Sequence, residues 1–354
     1  MPQVRLGTQP ESDFRYPGWR IVLASFFGVM VGYSVLIPYT FGLFLKPLSA
    51  AFGWRRDQIS VAFGCVAVTV AVCSPIVGRL LDRFGPRRTI LPCLVAFGLW
   101  FASLSFLTPR LMHFYLVFIF LGLAGNGTTQ LAYSRAVSTW FFERRGAALS
   151  LIAAGARVGA MILPLLAGWL LQKYGWRAAY GVLGILVLAV GFPLTSILVR
   201  ESGHISQATQ TKDESLLSSI RTRPFLLLLG AIFHYSISFN GVISHLAALL
   251  TDRGLPLRTA AQVLSILGAC GLAGRLSTGY LLDKFFAVRV SFILFSTTVA
   301  GVLLLSRPSV LAAFFSAAMI GFAAGGESDT IGTSRQMSGR DMYRMRGVSY
   351  QTSP

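Results

Sequence analysis

Three arginines stand inside long apolar stretches of this chain: Arg135, Arg157 and Arg275. An ionised side chain in hydrocarbon costs at least ~2.5 to 3.5 kcal/mol on insertion scales, so each should face a partner or a cavity. None has an obvious acidic partner in the apolar stretches before residue 306. A guanidinium grips a carboxylate through two parallel hydrogen bonds, and unpaired cations sharing one central chamber are suited to a small organic anion. Two of the three also have plainer readings. Arg135 lies a few residues from the end of its stretch and could reach the lipid headgroups. Arg157 lies near mid-stretch, with Gly155 and Gly159 on another face at the spacing that lets helices approach closely. Other chemistry is poorly supported. His234 and His245 are about 16 Å apart along a helix and cannot share a metal. The sequence holds no metal-ligand spacing, nucleophile elbow or phosphate-cradling loop, so neither an enzyme nor a cofactor is expected.

The elements that must position these arginines are membrane helices. Hydrophobic residues make up 54% of the chain and charged residues 12%, with a mean hydropathy of +0.65. An ordinary soluble domain carries about a quarter charged residues. Ten apolar spans can be drawn: Ile21 to Leu45, Ile59 to Leu80, Thr89 to Leu107, Phe114 to Val137, Ala147 to Leu171, Ala178 to Val199, Phe225 to Leu250, Ala260 to Leu282, Val288 to Leu305 and Val310 to Gly326. Most reach the ~20 residues that cross a hydrocarbon core. The expected fold is all-α and polytopic. The net charge of +18 would suggest nucleic acid in a soluble domain. Here its placement in alternate loops points to the lipid bilayer as the partner and to no nucleic acid. Loops on the side of the N-terminus carry fifteen Arg and Lys before the tail against nine on the other, which predicts a cytoplasmic N-terminus in a cell membrane. Residues 1–18 are polar, and the first span is too long for a cleaved signal. Cys65, Cys73, Cys93 and Cys270 all lie in or beside the spans and are expected as small core residues. Asn126-Gly127-Thr128 fits a glycosylation sequon but falls inside an apolar span.

Between the second and third spans runs GRLLDRFGPRR, from Gly78 to Arg88. Gly78 would let a helix end approach a neighbour, Asp82 would accept from backbone N–H groups at another helix start, and Gly85 would permit the turn. Arg83, Arg87 and Arg88 add the basic charge that anchors such a loop. The pattern recurs 201 residues further on as Gly279, Asp283 and Lys284, with Phe286 in the place of Gly85. Weak internal repetition is expected of a carrier built from two related helical halves.

The motif from Gly78 to Arg88 resembles the loop between the second and third helices of the major facilitator superfamily. Tyr39 to Leu48 with Phe52-Gly53-Trp54, and Trp140 to Gly146 with Ala153-Ala154-Gly155, resemble the monocarboxylate transporter and oxalate/formate antiporter-like branch. Glu143 departs from that branch, and so does Arg157. The resemblance implies a secondary transporter that rocks two bundles about a midplane site, moving a mono- or dicarboxylate with a coupling proton or a counter-anion. It also implies that Arg275 is a substrate-binding residue, and that the motif at Gly78 to Arg88, echoed at Gly279 to Lys284, latches one side. Proton-coupled members carry an aspartate where this chain has Gly271 and a lysine where it has Tyr39. Proton symport is thereby weakened, and anion exchange or uniport gains. Arg275, Arg135, Arg157 and Tyr39 are the expected substrate contacts; Glu327 and Asp329 could titrate or gate.

The expected organisation is a segment 1–19, a six-helix bundle 20–199, a cytoplasmic linker 200–223, a four-helix partial bundle 224–331 and a polar tail 332–354. The superfamily has twelve helices, so the resemblance implies a chain truncated or shifted in frame after the tenth. Two rival readings remain: drug or cation efflux on the same fold, which predicts acidic cavity residues and a Gly-Pro pair that the fifth span lacks, and a non-transporting fragment.

Overall fold

The computed structural model describes residues 15–199, 223–285 and 287–326, together with Glu11 and Asp13. Among them every regular element is helical. The first span is two helices, α1 (Pro17–Met30) and α2 (Tyr33–Phe52), parted at Val31 and Gly32. Then come α3 (Arg56–Phe84), α4 (Pro86–Ser103), α5 (Leu111–Gly125) and α6 (Gln130–Ser138), with a 3-10 turn at Asn126–Thr128 dividing the fourth span. The fifth and sixth spans run together as α7 (Arg145–Leu186), a π-helical turn and α8 (Phe192–Leu198). Gly175, at φ 79°, reverses the chain within α7, so the two spans expected there are distinct. After residues 200–222 follow α9 (Arg223–Asp252), α10 (Leu257–Lys284), α11 (Ala287–Leu305) and α12 (Val310–Gly326).

The chain turns at two levels. At one, called here the Gly85 end, lie Gly85, Val199, Arg223 and Phe285; at the other, the Gly175 end, lie Gly53, Leu107, Gly175, Gly254 and Arg307. Between them the outward faces are apolar: Val68, Val72 and Ile76 on α3, and Phe292, Ile293 and Val299 on α11, are all exposed. An apolar surface this continuous needs lipid around it, because water would be ordered along its length.

Packing depends on small residues. On α7, a β-carbon at Gly155 or Gly159 would run into the backbone carbonyls of Phe26 and Met30, so these glycines let α7 and α1 touch backbone to backbone. Helices α1 to α8 pack as one half around this contact, α4 against α5 and α7, α3 against α5. In the second half α10 packs on α9 and α11. The halves meet where α10 lies on α7 and where α2 lies on α9 and α10. Dispersion and close approach do this work in lipid, where apolar burial gives helices little reason to associate.

Candidate functional site

Arg157 sits two residues beyond Gly155 on α7, on a face turned from α1 towards the second half. Its Nη2 donates to the carbonyl oxygen of Ala324 on α12 at 2.8 Å. The guanidinium also lies within hydrogen-bonding reach of the buried Tyr39 hydroxyl on α2. It rests over Gly271 of α10, where a β-carbon would stand 3.2 Å from its Cδ and 3.3 Å from its Nη1. With no side chain at Gly271, Arg157 packs directly over the α10 backbone as it crosses between the halves. Arg275 follows Gly271 by one helical turn, ~6 Å along α10, and is half-buried. Gly325 of α12 packs so closely there that a β-carbon would come within 2.8 Å of the Arg275 backbone nitrogen.

Two expected substrate contacts thus come together, Arg157 and Tyr39, with Arg275 one turn from the glycine beneath them. The partners of Arg157 among the described residues are a phenol and a peptide carbonyl, both neutral. A peptide carbonyl has a partial charge only, so the guanidinium keeps donors and charge for an anion. Mid-span placement, a seam between halves and convergent polar groups are what a midplane carrier site requires.

Arg135 is a correction. It was expected to have no obvious acidic partner within the apolar spans; its Nη1 is bound to the carboxylate of Asp82, just past the end of the second span, and donates to the carbonyl of Gly78 at 3.1 Å. It lies near the Gly85 end of α6, where the fourth span returns beside the motif, and the sequence distance of fifty-three residues hid this pairing. The motif itself is also corrected in part. Gly78 has no neighbour within reach of a β-carbon, so it allows no close approach there. Asp82 takes the Arg135 guanidinium rather than backbone N–H groups. Gly85 does make the turn, at φ 84°. Arg87 donates to the Ser196 carbonyl at 2.8 Å, tying the loop to α8, while Arg83 lies over the Phe84 ring and Arg88 is exposed. In the repeat, Gly279 to Lys284 simply continue α10, and Lys284 sits 4.4 Å from the Tyr280 ring centroid. The surroundings of Gly279 and the side chain of Asp283 lie outside the described residues, as do Glu327, Asp329 and the segments 200–222 and 327–354. His234 and His245 are exposed, and the four cysteines are free and half-buried rather than deep in the core.

Two features escaped the sequence reading. The breaks in the first and fourth spans lie side by side: the Thr128 hydroxyl accepts from the Tyr33 N–H at 3.1 Å, capping α2 where it starts in mid-membrane. Asn126 is buried beside it, donating to the Val70 carbonyl at 2.8 Å and accepting from Ser74, which also closes it to glycosylation. Gly32 and Gly125 were visible signals, since helix breaks concentrate at glycine. The second is an ion cluster at the Gly175 end: Asp252 is bound by Lys46, at 3.0 Å, and by both terminal nitrogens of Arg56.

Comparison with known proteins agrees with this architecture. The chain is 28% identical over 296 residues to monocarboxylate transporter 13 of Bos taurus, covering 82% of this chain and 67% of that one. It is 25% identical over 324 residues to an uncharacterized transporter, YhjX, of Escherichia coli, covering 89% and 79%. Among solved structures, a bacterial homolog of the human lysosomal transporter Spinster superposes at a TM-score of 0.66 with 19% identity, covering 90% of this chain and 74% of that chain. The nucleoside transporter NupG superposes at 0.67 with 12% identity, covering 89% and 81%. The family model of the Major Facilitator Superfamily matches residues 15–340. A multi-pass helical protein of two packed halves, matched over nearly its whole length by that model, belongs to the Major Facilitator Superfamily and is a membrane transporter rather than an enzyme.

Proposed function

We propose that this transporter carries a small organic anion, a mono- or dicarboxylate, at the seam formed by Arg157, Tyr39 and Arg275. The observation that carries the proposal is Arg157: a permanently charged group reaching from one half to the other at mid-span, whose partners among the described residues are uncharged. Desolvating a guanidinium is costly unless a counter-charge arrives, and a carboxylate cargo supplies one. The described carboxylates flank or end helices, as at Asp57, Asp82, Glu143 and Asp252, so among the described residues none stands beside Arg157 to meet a cationic drug. Similarity to a protein named monocarboxylate transporter 13 supports the same class.

Arg135 is left out of the site, because Asp82 holds it. With Gly271 and Tyr39 in place of titrating groups, anion exchange fits the site better than proton symport. The excess of Arg and Lys in the loops at the Gly85 end supports a cytoplasmic placement of that end in a cell membrane. Proteoliposome counterflow with labelled monocarboxylates and dicarboxylates tests the reading. The wild-type chain should accumulate label, and Arg157→Gln and Arg275→Lys should each abolish accumulation while inserting normally. Unchanged uptake in both variants, or wild-type transport of organic cations only, would overturn it.

A further inference from the structure

The outward face of α7 changes character as the helix climbs to the Gly175 end. Ile162, Leu165, Trp169 and Lys173 follow one another at intervals of three, four and four residues, so they stand in one helical row, and all four are exposed. From aliphatic to aromatic to cation, the row covers ~16 Å of rise, about the depth of one leaflet's hydrocarbon. Its upper end is a cage. Lys173 Nζ lies 5.3 Å from the centroid of the Trp169 ring and 5.2 Å from that of Tyr174, and the two rings meet edge to face at 5.6 Å. Trp169 and Tyr174 are 51% and 54% exposed, so the cage is set on the outside of the bundle. Rings with a polar edge settle at the level of lipid headgroups, their bodies among the chains and their N–H or O–H in water.

The rings hold Lys173 without neutralising it. An aromatic quadrupole attracts an ammonium but carries no net charge, and no described ion pair includes Lys173. The carboxylates described at this end are taken, Asp57 by Arg55 and Asp252 by Lys46 and Arg56. A second exposed cation, Arg258, stands at the same level in the first turn of α10, since Ala261 just below it packs on Gly168, the neighbour of Trp169. The patch is therefore cationic above and apolar below. A soluble anion would use only its upper part and leave Ile162 and Leu165 without a role. A phospholipid fits both parts.

We propose that Trp169, Lys173 and Tyr174 bind the headgroup of an anionic phospholipid, with an acyl chain along Leu165 and Ile162 beside the line where α7 meets α10. The ammonium gives a phosphate oxygen a charge-assisted bond, and the indole and phenol add donors at the same level. A zwitterionic headgroup brings its own ammonium, which offsets the attraction of Lys173 and Arg258; an anionic one does not. The inference rests on the membrane architecture and not on the cargo.

The test uses the full chain in vesicles containing brominated phospholipids, which quench the indoles they touch. Trp169 is one of six tryptophans, so its signal is taken as the difference between the parent and Trp169→Phe. Brominated phosphatidylglycerol should be preferred over brominated phosphatidylcholine at Trp169 by at least about fivefold, which corresponds to the ~1 kcal/mol of one basic residue at a lipid surface. Lys173→Gln should cut the preference about fivefold and Lys173→Arg should keep it. Arg110→Gln, at another exposed cation of the same end with no described ring over it, should leave it unchanged. Equal quenching by the two lipids in the parent, or a preference undiminished in Lys173→Gln, would overturn the site. Loss of the preference on adding soluble glycerol phosphate would overturn the choice of a lipid in favour of a free anion. Unchanged quenching by brominated phosphatidylcholine shows that a variant is folded, because it reports lipid contact at Trp169 without headgroup charge.

Discussion

Replacing Gly271 by Asp should disable the seam by giving Arg157 a resident counter-ion. The β-carbon added there would stand 3.2 Å from Arg157 Cδ and 3.3 Å from both Arg157 Nη1 and the Gly321 carbonyl oxygen of α12, tight enough for the arginine and that backbone to shift by a few tenths of an ångström but not for the arginine to be expelled. A carboxylate on that β-carbon comes within ~4 Å of the guanidinium, where two unit charges attract by about 4 kcal/mol at an effective dielectric of ~20. Desolvation of the new carboxylate takes back much of this. If a third survives, ~1.4 kcal/mol, a cargo anion competing for the same guanidinium loses tenfold in affinity. The proper comparison is with Gly271→Asn, which has nearly the same shape without the charge, and Gly271→Ala, which adds the β-carbon alone. Counterflow at neutral pH should show the apparent affinity for labelled carboxylate unchanged within threefold in Ala and Asn, and at least tenfold weaker in Asp. Thermal unfolding in detergent should keep all three within a few degrees of the parent. Equal affinities for Asp and Asn, with both folded, would refute the idea that the charge on Arg157 receives the cargo.

Two further outcomes follow from the packing and from the motif. Gly159→Ala forces a β-carbon into the Met30 carbonyl, an overpacking that typically costs about 1 to 3 kcal/mol, whereas Gly64→Ala meets nothing within 4 Å; scanning fluorimetry should show a lowered midpoint for the first and none for the second. Asp82→Asn removes the partner of Arg135, but with side chains 69% and 38% exposed the pair is worth only ~0 to 1 kcal/mol of stability. The midpoint should therefore hold while transport falls at least fivefold, and a parallel loss of both would reduce the pair to a structural tie.

The sequence was enough for the membrane class and for most of the helix inventory. Ten apolar spans, alternating with basic loops, admit only helices in lipid, because every backbone polar group must be satisfied within its own segment. Positions with a local cause were equally legible: Gly85 turns the chain because only glycine takes that dihedral cheaply, and the Gly155 and Gly159 pair declared a backbone contact before its partner was known. What lay outside its reach were pairings across the bundle. That Arg135 needed a partner could be read from its setting; that the partner is Asp82 depended on the fourth span returning beside the second. Arg157 and Gly271 are far apart in the chain, and only helix packing shows that one rests on the other. The ion cluster at Asp252 is the same case. Lys46, Arg56 and Asp252 each read as an ordinary loop charge, and they become a unit because the two halves lean together at that end. Local dihedral preference and hydrocarbon solvation act residue by residue, so a linear sequence records them; a hydrogen bond between halves exists only once a particular packing has set the distance.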